Sequence, residues 1–342
     1  MMKIIHLFIV IALTIGITGC GKVKDADASG QDLSSDTKKK VLYVDSYHRG
    51  YEWSDAVTEG ICKTFGVTLD ENDFVDISGS EVRLHILRMD TKRNASDSFK
   101  EQAALKIKLF IEKWRPDVVI TSDDNAFKHI IMPYYRDADL PVVFCGLNWD
   151  ASIYGAPYKN TTGMIEVALI NQLVENLRRY GKGERIGYLS ADVLTSRKEG
   201  QSYEKYCGLK IVERYVSNFE QWKSEFLRLQ DEVDILIVGN NAGINDWREQ
   251  EAEKLILQNT KIPAGTLYPW MMRYSLLGLT KSGQEQGRWA AEAALKILDG
   301  TKPSDIKIAK NVESNPFVNL AIAEKLEIIL APSILKEASV IE

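Results

Sequence analysis

Residues 40–54 read KVLYVDSYHRGYEWS, an apolar run that changes into a polar, aromatic turn just before a helical pattern begins. The β-branched and aromatic residues of the run predict a strand, and the residues from Ser54 to Phe65 predict a helix. A strand that passes through a polar loop into a helix is the start of a βα unit. Ligands bind at the carboxyl ends of strands in open parallel sheets, so this loop is predicted to face a ligand.

The segment from Met1 to Cys20 has the pattern of a secretory leader, with one positive charge at Lys3 and an apolar stretch from Ile4 to Ile17. This stretch is shorter than the roughly 20 apolar residues of a membrane-spanning helix. It ends in Gly-Cys, which resembles the bacterial lipobox, and the resemblance implies that Cys20 is diacylated and becomes the new N-terminus. Residues 1–20 are therefore predicted to be a lipoprotein signal peptide, which places the protein outside the cytoplasm, in the cell envelope, with a lipid anchor in a membrane.

Residues 21–40 are polar, small and almost free of large apolar side chains, which predicts a flexible tether. A flexible segment spans about 5–6 Å times the square root of its residue number, so the folded part would lie some tens of ångströms from the membrane. The lysines at 38–40 form a smaller cluster than the roughly four to eight basic residues typical of binding to anionic lipid.

The overall charge argues against nucleic acid as a partner. The chain has 43 basic and 48 acidic residues, and neither sign forms a long block, whereas nucleic-acid binding requires a basic surface. Beyond the lipobox the cysteines are Cys62, Cys145 and Cys207, an odd number that predicts no disulfide framework. The apolar neighbours of Cys62 and Cys145 predict that these two thiols are buried.

Strand and helix patterns alternate along the chain, which predicts an α/β fold with parallel sheets and helices on both faces. The long segment over 146–162 is predicted to be a loop that separates two similar halves. Strands are predicted at 82–89, 117–121, 141–145, 185–190, 210–216, 233–238 and 262–267, and helices at 98–114, 125–135, 169–180, 196–206, 219–229, 246–258 and 282–298.

Polar and aromatic residues follow the predicted strands in both halves. Such loops, facing each other, would form a cleft in which hydroxyls, amides and carboxylates fix the polar ends of a small molecule and aromatic rings supply apolar walls. The alternative for each polar residue is that it caps the following helix, and the aromatic residues could be lids on the core. The candidate ligand-binding residues are Ser46, Tyr47, Trp53, Asp123, Asp124, Asn125, Asn148, Trp149, Asn240, Asn241, Tyr268 and Trp270.

The sequence contains no motif that predicts catalysis, a cofactor or a metal site. The nucleophile elbow, the His-Glu-x-x-His zinc pair and the phosphate-binding glycine-rich loop are all missing from it. Asp123 and Asp124 are adjacent, and adjacent carboxylates on a strand would point in opposite directions, which does not suit paired acid and base chemistry. One of them is predicted to receive an ammonium or hydroxyl group of the ligand, and the protein is predicted not to be an enzyme.

Several segments resemble the ABC-transporter substrate-binding proteins of the uncharacterised type. These are PVVFCGLN at 141–148, NTTGM at 160–164, RIGY at 185–188, GRWAAEAALKILDGTKPSDI at 287–306, VNL at 318–320 and ILKEA at 334–338. The resemblance implies a type I periplasmic-binding-protein fold, in which two Rossmann-like lobes close on a ligand, and an ABC permease as partner. Some relatives take tryptophan or other aromatic amino acids, so an amino acid is the expected ligand.

The same resemblance implies where the lobes divide and which positions face the ligand. Lobe 1 is expected at 41–150 plus 270–303, and lobe 2 at 160–268 plus 304–342. The implied ligand-facing positions are Ser46, Tyr47, Asp123 to Asn125, Asn148, Trp149, Asn240 and Asn241.

The loop at 46–54 and the segment FCGLN at 144–148 depart from the transporter pattern. They resemble the version of the domain that is attached, outside the membrane, to histidine kinases and cyclase-like sensors. Two functions therefore stay open at this point: a receptor that delivers a small organic ligand to an ABC importer, and a ligand-sensing module that reports to a membrane kinase or cyclase.

Overall fold

The computed structural model describes residues 38–69, 73–75 and 82–341. The predicted signal peptide, its Cys20 and most of the predicted tether lie outside the described residues. The first strand begins at Lys39, so the last two residues of the predicted tether belong to a strand instead. No helix in the described part of the chain is long and apolar enough to cross a membrane.

The first sheet has seven strands, all parallel except for one short edge strand, which runs antiparallel to its neighbour. In spatial order they are β12 (Ala309–Lys310), β6 (Thr161–Glu166), β5 (Val142–Asn148), β4 (Val118–Ser122), β1 (Lys39–Asp45), β3 (Val82–Arg88) and β2 (Phe74–Val75).

The second sheet also has seven strands within the described part of the chain, and among them only the pair β11 and β13 is antiparallel. In spatial order they are β14 (Ser339–Ile341), β13 (Ser314–Asn319), β11 (Leu277–Lys281), β10 (Ala264–Thr266), β9 (Ile235–Val238), β7 (Ile186–Ala191) and β8 (Ile211–Val216).

Helices alternate with these strands along the chain, which confirms the predicted α/β class. A π-helical turn, Phe127–Ile131, joins α3 to α4, and short 3₁₀ turns occupy Ala151–Tyr154, Pro269–Tyr274 and Pro303–Asp305. The helices are α1 (Glu52–Phe65), α2 (Asp97–Trp114), α3 (Asp123–Ala126), α4 (Met132–Tyr134), α5 (Ile170–Arg178), α6 (Leu194–Cys207), α7 (Phe219–Glu232), α8 (Glu249–Asn259), α9 (Gly283–Leu298), α10 (Leu320–Lys325) and α11 (Pro332–Glu337).

Both faces of the first sheet are covered, and this explains why its first strand is apolar at successive positions. Val41 and Tyr43 of β1 pack with α1 and α9 on one face, whereas Leu42 and Val44 pack with α2 and the π-helical turn on the other. Cys62 and Cys145 lie in the core against α1 and α9, as the sequence predicts, and both are free thiols.

Over the residues that the structure describes, the chain crosses between the two sheets three times: after β6, after β11 and after β12. The third crossing is hydrogen-bonded to the other two. The Asn311 side chain accepts from the backbone N–H of Val167 at 2.7 Å and donates to its carbonyl at 3.1 Å. The Glu285 carboxylate, just after the second crossing, accepts from the backbone N–H groups of Val312 and Glu313, each at 2.9 Å.

Strand pairing divides the chain between the sheets differently from the expected lobe boundaries. Strands β6 and β12 pair in the first sheet although 160–268 and 304–342 are expected in lobe 2, and β11 pairs in the second sheet although 270–303 is expected in lobe 1. The predicted loop over 146–162 is wrong at both ends, because β5 continues to Asn148 and β6 begins at Thr161. Helix α9 does pack on α1, beside the first sheet.

Candidate ligand-binding site between the two sheets

The carboxyl ends of β1 and β4 are held together by Ser46. Its hydroxyl is buried, donates to the carbonyl of Ser122 at 2.6 Å and accepts from the backbone N–H of Ala126 at 2.8 Å. The Thr91 hydroxyl donates to the Ser46 carbonyl at 2.6 Å. These contacts fix the entry into α3, so the structure places Ser46 beneath the site as a support.

Asp123, the first residue of α3, is buried and has one carboxylate oxygen without a hydrogen-bond partner in the described part of the chain. Its side chain is only 3% exposed, and its backbone has a φ of 64°, a conformation that is costly outside glycine and that recurs at functional sites. Oδ1 accepts from the indole Nε1 of Trp53 at 3.0 Å. Oδ2 has no hydrogen-bond partner among the described residues, so one carboxylate oxygen remains to accept from another group.

Asp123 and Asp124 begin α3, so the strand geometry that would point adjacent carboxylates in opposite directions does not apply to them. The two side chains nevertheless have different surroundings. Asp124 accepts from the side-chain amide of Asn148 at 2.6 Å and from its backbone N–H at 3.3 Å. Asn125 donates to the Thr91 hydroxyl at 2.9 Å. Asp124, Asn125 and Asn148 therefore tie loops of the first sheet to one another, close to Asp123.

Two aromatic side chains from the first loop lie beside Asp123. Trp53 is partly buried, and the Nζ atom of Lys281 lies 5.8 Å from the centre of its ring. Tyr47 packs edge-on against Tyr51 at 5.2 Å. Burial raises the pKa of Tyr47, and the carboxylates of Asp123 and Glu166 raise it further. The sequence predicts that these rings form an apolar wall of the cleft, and that role stays a prediction.

An ion pair connects the two sheets at the same place. Glu166 is the last residue of β6 in the first sheet, Lys281 is the last residue of β11 in the second, and their side chains are in direct contact. Burial alone would lower the pKa of Lys281, but the Glu166 carboxylate more than compensates and the pKa is raised, so the lysine stays an ammonium. Sequence reasoning missed both residues, since neither strand was predicted.

The second sheet contributes a carboxylate surrounded by phenols. Glu199 of α6 accepts from the hydroxyl of Tyr268 at 2.6 Å and from that of Tyr188 at 3.0 Å. The ring centres of Tyr268 and Trp270 are 4.9 Å apart, and Trp270 is 53% exposed, so it lies at the protein surface. The Glu199 carboxylate also helps to raise the pKa of Lys281.

Asn240 and Asn241 shape the turn after β9. The Asn240 side chain accepts from the backbone N–H of Ala242 at 2.8 Å, and its carbonyl accepts from Ala191 at 2.8 Å. The Asn241 carbonyl accepts from the N–H of Ile244 at 3.0 Å. The structure gives both asparagines contacts within the second sheet and none with Asp123 among the described residues.

Trp149 links the two lobes directly. It follows β5 of the first sheet, with a φ of 61° and a backbone N–H that donates to the Glu166 carbonyl at 2.9 Å. Its ring stacks on Tyr206 of α6 at 5.4 Å and meets Tyr203 edge-on at 6.3 Å. The structure thus brings Tyr47, Trp53 and Asp123 together, and places Trp149 as a contact between the lobes.

Within the described residues, no group of three or more His, Cys, Asp or Glu side chains is arranged to hold a metal ion. Gln286, which the sequence did not indicate, supports the site instead. Its Oε1 accepts from the backbone N–H of Gly146 at 2.9 Å, which anchors the bulge of β5. A Cβ atom on Gly146 would lie 3.2 Å from Oδ1 of Asp123, so a glycine with a φ of 72° gives that carboxylate its space.

The pH dependence of stability is expected to report the environment of Asp123. Burial raises the pKa of this carboxyl well above its usual range, and the neighbouring Glu166 and Asp45 carboxylates add to the effect. A raised pKa means that the folded state binds more protons than the unfolded state, so stability falls as pH rises from about 4 through the folded pKa. Asp123→Asn removes this loss.

Urea denaturation of both proteins between pH 4 and pH 8 measures the effect. The variant should gain stability over the wild type as the pH increases. A difference that stays constant across this range would show that Asp123 titrates normally.

Comparison with known proteins identifies a family to which the chain is similar. The family model described as ABC transporter substrate binding protein matches residues 85–341. No curated protein sequence matches the chain significantly.

Among solved structures, a ligand-free, open substrate binding protein with adhesive properties from Clostridium difficile is 17% identical, with a TM-score of 0.65 and coverage of 89% of this chain and 99% of that one. The ABC domain in complex with L-Trp from Streptococcus pneumonia is 18% identical, with a TM-score of 0.51 and coverage of 89% and 100%. The periplasmic ribose ABC transporter protein from Conexibacter woesei is 14% identical, with a TM-score of 0.51 and coverage of 86% and 97%.

At these identities the likeness shows the fold, which is the two-lobed type I periplasmic-binding-protein architecture. The family model covers most of the chain, from within β3 to β14, and includes the whole second sheet and all three crossings. The chain belongs to the ABC transporter substrate binding protein family.

Proposed function

We propose that this chain is a lipid-anchored solute-binding protein that captures an amino acid with an aromatic or apolar side chain between its lobes and delivers it to an ABC importer. The observation that carries the proposal is the buried Oδ2 of Asp123, which lacks a partner among the described residues and lies on the carboxylate that Trp53 holds. A buried acceptor of this kind calls for a donor from the ligand.

The family supplies the general part of this function. Its proteins bind small-molecule solutes outside the cytoplasm, work with an ABC permease and are not enzymes. The amino acid, the delivery step and the lipid anchor are the parts that we propose for this chain.

The surroundings of Asp123 favour an amino acid. An ammonium group can donate to Oδ2, while Lys281, whose ammonium lies near the Trp53 ring, can receive a carboxylate. Trp53, Tyr47 and Tyr268 offer flat apolar surfaces to a side chain. The streptococcal relative bound to L-Trp supports this ligand class.

Titration calorimetry and a thermal-shift screen with amino acids, sugars, nucleosides and organic acids test the ligand. An amino acid at 100 times its dissociation constant should raise the free energy of unfolding by about 2.7 kcal/mol. Asp123→Asn should weaken its binding about tenfold to hundredfold, because a bound ammonium favours the charged form of the Asp123 carboxyl and the amide of the variant cannot take that charge.

Asp97→Asn is the matched control, since Asp97 is 82% exposed at the start of α2. Stabilisation by sugars alone would contradict the amino-acid assignment. Unchanged binding to Asp123→Asn would contradict the placement of the site.

The lipid anchor and the transport role have separate tests. Labelled palmitate should be incorporated into the full-length chain expressed in a bacterium and not into its Cys20→Ala variant. Uptake of the labelled ligand into cells should require the protein. If uptake continues without it while a membrane kinase or cyclase loses its response to the ligand, the sensor alternative is correct.

A further inference from the structure

We propose that the Lys281–Glu166 pair selects the charge of the ligand headgroup, so that the cleft prefers a zwitterion to a cation and a cation to an anion. This inference rests on the proposed function and specifies its ligand. It concerns two residues at the ends of strands in different sheets, 115 positions apart in the sequence, whose side chains meet beside the ligand acceptor Asp123.

The two members of the pair differ in exposure. The Glu166 side chain is 9% exposed, whereas that of Lys281 is 35% exposed. Among the described residues Glu166 has Lys281 as its ion-pair partner. Lys281 is also within the electrostatic influence of Asp123 and Glu199. Loss of the pair therefore costs more free energy at Glu166, which water solvates less, than at Lys281.

A ligand bound at Asp123 has its charged headgroup next to this pair. The Trp53 indole contacts both places: its Nε1 donates to Asp123 at 3.0 Å, and its ring lies 5.8 Å from Nζ of Lys281. A ligand carboxylate near this ring competes with Glu166 for the lysine. A ligand ammonium competes with the lysine for Glu166 and also has Oδ2 of Asp123 to accept from it.

The cost of a buried charge without its partner decides the preference. Breaking a buried pair from one side leaves an uncompensated charge and is strongly unfavourable. An anion that draws Lys281 away leaves Glu166 unpaired among other carboxylates. A cation at Glu166 leaves only the more exposed Lys281. A zwitterion replaces both contacts at once, since its ammonium satisfies Glu166 and its carboxylate satisfies Lys281.

The alternative is that the pair is only a strut between the lobes. Both residues directly precede crossings of the chain, so a purely structural role is physically reasonable. In that case substitutions would change stability and would weaken all ligands by the same factor. The two roles therefore differ in whether the ligand preference changes.

The test uses three probes with one side chain: L-tryptophan, its α-amide and its N-acetyl derivative, or the same derivatives of whichever amino acid binds best. Calorimetry on the wild-type protein should find the amide about tenfold weaker than the amino acid and the N-acetyl derivative about a hundredfold weaker. Lys281→Gln should reduce the difference in affinity between the amino acid and its amide. Glu166→Gln should reduce the difference in affinity between the amino acid and its N-acetyl derivative. Lys281→Arg keeps the charge and should keep the wild-type order.

The outcomes separate this inference from the proposed function. If the amino acid binds but the N-acetyl derivative binds equally well, charge selection is wrong and the solute-binding function stands. If the two glutamine variants weaken all three probes by one common factor, the pair is a strut. If no amino acid or derivative binds the wild type, both proposals fall. Circular dichroism checks that each variant is folded. A wild-type order of affinity other than amino acid, amide, N-acetyl derivative overturns charge selection without any variant.

Discussion

Replacing Arg88 by methionine is expected to lower the free energy of unfolding by about 3–5 kcal/mol, since it breaks a buried ion pair from one side. Nη1 of Arg88 donates to Oδ2 of Asp45 at 2.6 Å, and Asp45 is completely buried at the end of β1. The remaining carboxylate would have no cation in contact with it among the described residues. Methionine has a similar length, so the loss is chiefly electrostatic.

The rest of the Asp45 environment cannot compensate for the arginine. Oδ1 accepts from the backbone N–H of Tyr47 and from the Ser54 hydroxyl, both at 2.9 Å. These neutral donors fix the first loop but carry no charge. Nε of Arg88 also donates to the Asp73 carboxylate at 2.9 Å, so the variant removes an ion pair from a second carboxylate. We therefore expect the loop that carries Tyr47 to loosen together with the global loss of stability.

Urea denaturation at pH 7 measures the change for Arg88→Met. Arg228→Met is the matched control, because Arg228 is 63% exposed and its ion pairs lie at the surface. The control should cost no more than about 1 kcal/mol. The double variant Asp45→Asn with Arg88→Met should be more stable than Arg88→Met alone. A loss below about 1 kcal/mol for Arg88→Met would show that Asp45 is solvated in the native protein.

The second large effect is expected from Gly287→Ala, which should destabilise the protein by about 3 kcal/mol through overpacking. A Cβ atom at this position would lie 2.0 Å from the Val57 carbonyl oxygen, and one at Gly60 would lie 2.3 Å from the Gln284 carbonyl oxygen. Both glycines lie where α1 packs against α9. The obstructing atoms belong to backbone, so relief requires the helices to move apart.

Gly200→Ala is a useful comparison for this second effect. A Cβ there would also be crowded, at 2.4 Å from the Glu213 carboxylate and the Tyr215 hydroxyl, but these are ends of side chains that can rotate. It should cost clearly less than Gly287→Ala, because side-chain ends can move aside whereas the backbone at Val57 cannot, and the helix preference of alanine applies to both positions. Thermal and urea unfolding of both variants check the difference. Equal losses would mean that α9 can shift on α1.

Much of the fold is predictable from the sequence because its strands and helices have regular apolar patterns. The helix predicted at 98–114 is observed as Asp97–Trp114, and the strand predicted at 185–190 as Ile186–Ala191. Strands such as β6 and β11 were missed, since Thr161–Glu166 begins with polar residues and Leu277–Lys281 contains a glycine and ends in a lysine. These segments are strands because they pair with neighbouring strands that are distant in the sequence. A local sequence pattern carries no information about that pairing.

The candidate site was predictable to a similar degree. Asp123, Tyr47 and Trp53 lie together because each follows the carboxyl end of a strand in one sheet, which is a rule of the fold. Glu166 and Lys281 could not be found in this way, because their contact depends on how two sheets are joined. Ser46 and Asn240 are residue types common in binding loops, but their side chains form hydrogen bonds with backbone groups of the protein. The sequence alone does not distinguish ligand binding from this structural role.

The order of the strands has a consequence for how the protein is made. The first sheet contains β1 and also β12 at 309–310, and the helix that covers β1, α9, ends at Leu298. A chain that emerges from its N-terminus therefore cannot complete even its first lobe until most of its length has been released. A chain of this topology has no finished core until late in its synthesis, a condition that suits export in an unfolded form.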